Sequence, residues 1–227
     1  MLHEELKQLA EPVWKETLEH PFWTALRDGS LPARSLTTFV EQSAVHLLPA
    51  YARALARTAA ATRWDRHVAL LANAAAGTVQ ARDGLLEAHN GLSAELGLPQ
   101  ADSGATVAPA THAHTMFLHA ATASTVAAGM GALLPLAWFH QLTSDDLRRR
   151  REPGSRYGAW IDAYHPGPGY AQTVSDLVEA YDELGELMAR PGRAELLEYF
   201  AAGLRYTITV TEAAWTRAGW PTGSAAH

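Results

Sequence analysis

The stretch AELLEYFAAGLRYTITVTEAAWTRAG, residues 194–219, reads as a single long helix. Phe200, Leu204, Ile208 and Glu212 follow one another at four-residue steps, and Trp215 lies three further on. That is the spacing of one helix face, and apart from the glutamate the face is apolar. A carboxylate on such a face is desolvated unless something pairs with it, so the pattern marks Glu212 as paired or functional.

Outward from this helix the chain reads the same way. Helices are expected over 2–26 with an interruption near Pro21, over 33–62 with Pro49 as a kink, and over 64–96. Others are expected over 111–127, over 130–142 with an internal Pro135, over 156–164 and over 171–189. Asp28-Gly29-Ser30-Leu31-Pro32 and 165–169 carry turn residues, 98–109 is a loop, and 219–227 is expected to be a flexible tail. No stretch is long or polar enough to divide the 227 residues, and no internal repeat is present. The expected architecture is one all-α domain over 1–227.

Composition narrows the chemistry. Apolar residues make up 48% of the chain, enough for a substantial core, yet no run of eighteen apolar residues predicts a membrane-spanning helix. Met1 to Glu5 lacks the basic and apolar regions of a secretory signal, so the cytoplasm is the expected compartment. A net charge of −6 argues against nucleic acid as a partner. The one basic run, Arg148 to Arg151, reads as a solvated turn between helices, and Asp145-Asp146 before it as a helix start. Eleven histidines accompany no cysteine at all, which excludes disulfides, thiolate metal sites and thiol nucleophiles.

Four stretches, in order, carry a resemblance. The first is His20-Pro21-Phe22, then Asp28-Gly29-Ser30-Leu31-Pro32, then Phe39-Val40-Glu41-Gln42. The second is Ala132-Leu133-Leu134-Pro135 with Trp138, and the third is Tyr157, Trp160, Ile161 and Tyr164. The fourth is Glu212 with Trp215. Together they resemble the TenA family, also called thiaminase II, whose fold is the heme-oxygenase-like helical bundle. The resemblance implies a small-molecule pocket inside the bundle and a homo-oligomer, tetramer or dimer. It also implies that Glu212 manages protons and that Tyr164 lines the pocket and tunes it by a hydrogen bond.

The departures from the family pattern matter as much. The family's pyrimidine-holding aspartate follows the motif glutamine, and here Gln42 is followed by Ser43. Its nucleophilic cysteine follows the leucine-proline pair, and here Pro135 is followed by Leu136, which cannot attack carbon. His46, His140 and, after a one-residue gap, His114 stand where the family has aromatic or polar pocket residues. Ser43 and His46 are three apart, which on an α-helix puts them on one face. His112 and His114 lie too far round a helix to share a pocket, whereas His112 and His119 share the other face.

The expected pocket therefore has Glu212, Tyr164, His140 and His46 as catalytic groups. Ser43, His114, Leu136, Trp138, Tyr157 and Trp160 are its expected substrate-binding walls. No cofactor is the favoured reading. An iron, copper or zinc site would draw on His46, His114, His140 and Glu212, but the H-x3-D-x2-H spacing of di-iron relatives is absent, and 171–189 holds no histidine. The function expected is an enzyme on a small nitrogen-containing or aromatic molecule, in specialised metabolite biosynthesis and not thiamin salvage. Open alternatives are a metal-dependent oxidase, a decayed ligand-binding or regulatory protein, and a cysteine-independent aminopyrimidine C–N hydrolase.

Overall fold

The computed structural model describes residues 1–221, so the last six positions of the expected tail lie outside it. The described residues form ten α-helices and one π-helical turn, with no strand among them. The helices are α1 Leu2–Leu18, α2 Pro21–Asp28, α3 Ala33–Glu41, α4 Leu48–Ala61 and α5 Asp65–Leu96. They continue with α6 Pro109–Ser124, α7 Val126–Arg150, α8 Gly158–Tyr164, α9 Pro168–Leu187 and α10 Arg190–Thr216. The π turn, Gln42–Leu47, joins α3 to α4 without a break.

Two departures from the expected boundaries stand out. Pro49 has no N–H, and in a regular helix its ring would crowd the carbonyl four residues back. The chain widens instead, and the Leu48 N–H reaches Ser43 O across five residues. Second, α7 is one helix from Val126 to Arg150, where two were expected with a boundary near 142. Asp145 and Asp146 therefore sit near its C-terminal end and not at a helix start. The run Arg148 to Arg150 forms its last turn, where cations suit the helix dipole. His67 and His89 on α5 are buried: His67 Nε2 meets Glu183 Oε2 at 2.8 Å, and His89 Nε2 meets the Pro99 carbonyl at 3.0 Å.

Pro135 lies inside α7, and tyrosines from neighbouring helices hold the backbone around it. The Tyr181 hydroxyl accepts the Leu134 N–H at 3.2 Å and itself donates to the Met130 carbonyl, bridging one helical step. Tyr51 donates to the Leu133 carbonyl at 3.0 Å and Tyr170 to the Ala137 carbonyl at 3.2 Å. Burial pushes the Tyr51, Tyr170 and Tyr181 phenols up, so all three serve as hydroxyl donors.

Two apolar clusters result. The larger joins α1, α4, α6, α7, α9 and α10; the smaller joins α2, α3, α8 and the distal part of α7 with Ala214 of α10. Helices α7 and α10 meet at glycines. A Cβ on Gly131 would stand 2.3 Å from the Leu196 carbonyl oxygen, and one on Gly203 would stand 2.9 Å from Pro135 Cγ. A buried ion pair locks α2 to α7: Arg27 donates to Asp146 at 2.8 Å, and its remaining N–H groups reach Leu18 O and Thr24 Oγ1.

Removing Asp146 strands the Arg27 charge in the interior. Asp146→Ala is expected to cost about 3–5 kcal/mol, read as a drop in the urea midpoint at constant slope. A loss below about 1 kcal/mol would show that the pair does not hold these helices together.

Candidate functional site

Glu212 is not in the core. Steps of four residues advance about 400° of helix turn, so the three steps from Phe200 carry Glu212 roughly 120° away from it. The buried stripe of α10 instead runs through Phe200, Gly203, Leu204, Thr207, Val210 and Ala214. The Glu212 side chain is 53% exposed, and its Oε2 lies 2.9 Å from His20 Nε2. The carboxylate is thus paired, with a residue read from the motif only as part of a turn.

That histidine is aimed by the backbone. His20 caps α2, and its Nδ1 accepts the Phe22 N–H at 3.1 Å while Pro21 occupies the first helical position. An Nδ1 that accepts leaves the neutral ring's proton on Nε2, where it donates to Glu212. Among the described residues the second carboxylate oxygen of Glu212 meets no protein donor, which leaves it open to a bound molecule or a water.

A second pair stands nearby. The Tyr164 hydroxyl and His140 Nδ1 share a hydrogen bond of 3.1 Å, with the rings edge to face at 4.8 Å. Among the described residues the expected hydrogen bond from Tyr164 to Glu212 is absent: Tyr164 pairs with His140, and Glu212 with His20. Burial raises the Tyr164 phenol well above its ordinary value and lowers His140 to about 4. Tyr164 stacks on Trp160 at 4.9 Å and faces Trp23 at 6.4 Å. Trp23 lies one turn on from His20 in α2, and Trp215, three residues after Glu212, packs against the same cluster. Both pairs border one aromatic cluster.

The other expected residues scatter. Tyr157 is fully buried and spends its hydroxyl on the Leu31 carbonyl at 2.6 Å, and Trp160 backs Tyr164, so neither is an open wall. Trp138 meets Trp14 edge to face at 4.9 Å, and Leu136 packs with it against the larger cluster. Ser43 is buried in the π turn. His46 leaves Ser43's face because the turn closes across five residues; its Nε2 meets the Ala105 carbonyl at 2.8 Å. His114 is buried, stacked on Tyr206 at 5.3 Å with no partner for Nδ1, and lowered to about 3 by burial. Gln42, the motif glutamine, clamps the loop before α6 by bonding Thr106 O and the Ala108 N–H, and Glu41 accepts the Asp102 N–H.

Among the described residues no three histidine, aspartate or glutamate side chains converge as metal ligands would. The expected set of His46, His114, His140 and Glu212 is therefore not assembled: His140 faces Tyr164, His114 faces Tyr206, and Glu212 faces His20.

Comparison with known proteins fits this frame. The chain belongs to the TENA/THI-4/PQQC family, whose model matches residues 7–217. It is 25% identical over 219 residues to the aminopyrimidine aminohydrolase of Bacillus subtilis (strain 168), covering 96% of this chain and 91% of that protein. Its fold is similar to that of a TenA homologue from Pyrococcus furiosus, with a TM-score of 0.82 at 14% identity over 95% of this chain and 100% of that one. It is also similar to a heme-oxygenase-like domain from Shewanella denitrificans OS217, with a TM-score of 0.70 at 13% identity over 95% and 92% of the two chains. The all-α, heme-oxygenase-like bundle is the fold of this chain.

The buried histidines tie stability to pH. His114 and His140 titrate near 3 and 4 in the folded chain, below the unfolded value of about 6.5. Below that value the unfolded chain binds protons that the folded one refuses, so stability falls as pH drops from about 6.5 towards 4. His114→Phe, which keeps the ring stack, is expected to flatten that decline in urea melts taken across the range. A decline identical to wild type would contradict the assignment.

Proposed function

We propose that this TenA-family chain is an enzyme that acts by proton transfer on a small, planar, nitrogen-containing molecule, in a specialised biosynthetic pathway. The observation that carries the reading is the Glu212–His20 pair, a half-exposed carboxylate steadied by an imidazole whose tautomer the backbone sets. A carboxylate so placed can act as general base or acid. Beside it, the part-buried Tyr164 and Trp215, packed on the fully buried Trp23, present aromatic surface to a planar molecule. His140 and Tyr164 orient it. The chain has no cysteine, and Leu136 stands where the resemblance puts the nucleophile, so the step needs no covalent adduct on sulfur.

A second reading has one observation of its own. The B. subtilis relative, by its name, hydrolyses aminopyrimidine, and the likeness runs over nearly the whole of both chains. On that reading Glu212 would activate a water for C–N hydrolysis without a cysteine.

One assay separates the two. The purified chain is incubated with aminopyrimidines, thiamin and other planar nitrogen heterocycles, while mass spectrometry follows consumption and a coupled assay follows ammonia. We expect consumption of a heterocycle other than aminopyrimidine or thiamin, slowed about 10²- to 10⁴-fold by Glu212→Gln. Consumption unaffected by Glu212→Gln contradicts the acid–base role. Ammonia released from an aminopyrimidine as the main turnover puts the second reading in its place.

A further inference from the structure

A groove of about 460 Å³ runs between α4 and α6, on surface that includes neither Glu212 nor Tyr164. Its size falls in the range of small-molecule sites, about 300–1,000 Å³. Val45, Pro49, Ala50 and Met116 supply apolar surface along it. The polar groups are Arg53, Arg57, His46, His112 and His119, and no acidic side chain lines it among the described residues. In a chain of net charge −6 this is a local reversal of sign.

The two arginines are one turn apart on α4, so their guanidinium groups project over the same side. Neither ends on a carboxylate among the described residues. Arg53 donates to its own helix, at the Pro49 carbonyl, 2.9 Å away. Arg57 donates to His119 Nδ1 at 3.0 Å. Arg66, Arg148, Arg150, Arg151 and Arg193 meet carboxylates, and of the arginines that do not, Arg53 and Arg57 are the two that line this groove together. Neutral acceptors leave the charge of Arg53 and Arg57 uncompensated. Because His119 accepts at Nδ1, its neutral ring carries the proton on Nε2 and adds a donor. Trp220 packs on two of the lining residues: its Nε1 donates to the Val107 carbonyl at 2.8 Å, and its ring meets His112 edge to face at 5.9 Å.

We propose that this groove binds a small organic oxyanion, a phosphate monoester or a carboxylate, with the anionic head on Arg53 and Arg57 and the organic body on Val45, Pro49 and Met116. The guanidinium fork matches pairs of carboxylate or phosphate oxygens, and charge-assisted bonds to them are among the stronger ones. The inference does not depend on the reaction proposed for Glu212.

The test is isothermal titration of the full chain with phenyl phosphate, benzoate, inorganic phosphate and benzyl alcohol. Phenyl phosphate or benzoate is expected to bind with a sub-millimolar Kd, inorganic phosphate more weakly, and the neutral alcohol not at all. Which of the first two binds more tightly separates phosphate from carboxylate. Arg53→Gln and Arg57→Gln are each expected to weaken binding about tenfold, with thermal midpoints near wild type. Raising NaCl from about 50 to about 500 mM weakens it too. Glu212→Gln leaves it unchanged. Absence of binding by every anion, binding indifferent to both arginines, or binding altered only by Glu212→Gln overturns the proposal.

Discussion

Everything at the candidate site depends on how closely α7 approaches α10. Gly131 and Gly203 remove the Cβ atoms that would collide with the Leu196 carbonyl and the Pro135 ring, so the two helix backbones come together. Protein interiors pack densely enough that a methyl group at either point must displace a neighbour. With that distance set, α7 holds Leu136 and His140, and α10 holds Glu212 and Trp215. Tyr181 then bridges the step from Met130 to Leu134 ahead of Pro135, which keeps α7 one helix where a proline could have broken it.

The arrangement has two hydrogen-bonded pairs of titratable groups and no cysteine. Glu212 pairs with His20 across 192 positions of chain, and His140 pairs with Tyr164 across 24. The first pair is half-exposed and able to exchange protons. The second is part-buried, its imidazole kept neutral and its phenol kept protonated by desolvation, so it holds position and shape. On the function proposed above, the open pair would carry the chemistry and the part-buried pair the orientation. It leaves the arginine-rich groove between α4 and α6 as a separate surface with its own charge.

Much of this was legible in the sequence, and the misses have specific physical origins. Residues 194–219 announced a long helix, and α10 spans Arg190–Thr216. The ordered motifs pointed to the family that the chain belongs to. His112 and His119 were placed on one face, and both line the groove. Glu212 was put on the wrong face because steps of four drift against a period of 3.6. The π turn has no compositional mark, so nothing in Ser43 to His46 warned that an α-helical spacing would fail there. The role of His20 was hidden because its partner is contributed by the opposite end of the chain, and a capping histidine looks complete without one. The burial of Asp146 was hidden for the same reason, its partner Arg27 lying 119 positions away.

The central claim is that Glu212 and His20 act as one unit. Turnover of a consumed heterocycle should be compared for Glu212→Gln, His20→Gln and the double variant, each checked for an unchanged thermal midpoint. Residues acting together lose activity non-additively. The account predicts that the double variant is no slower than Glu212→Gln alone. Losses that multiply in the double variant would contradict it.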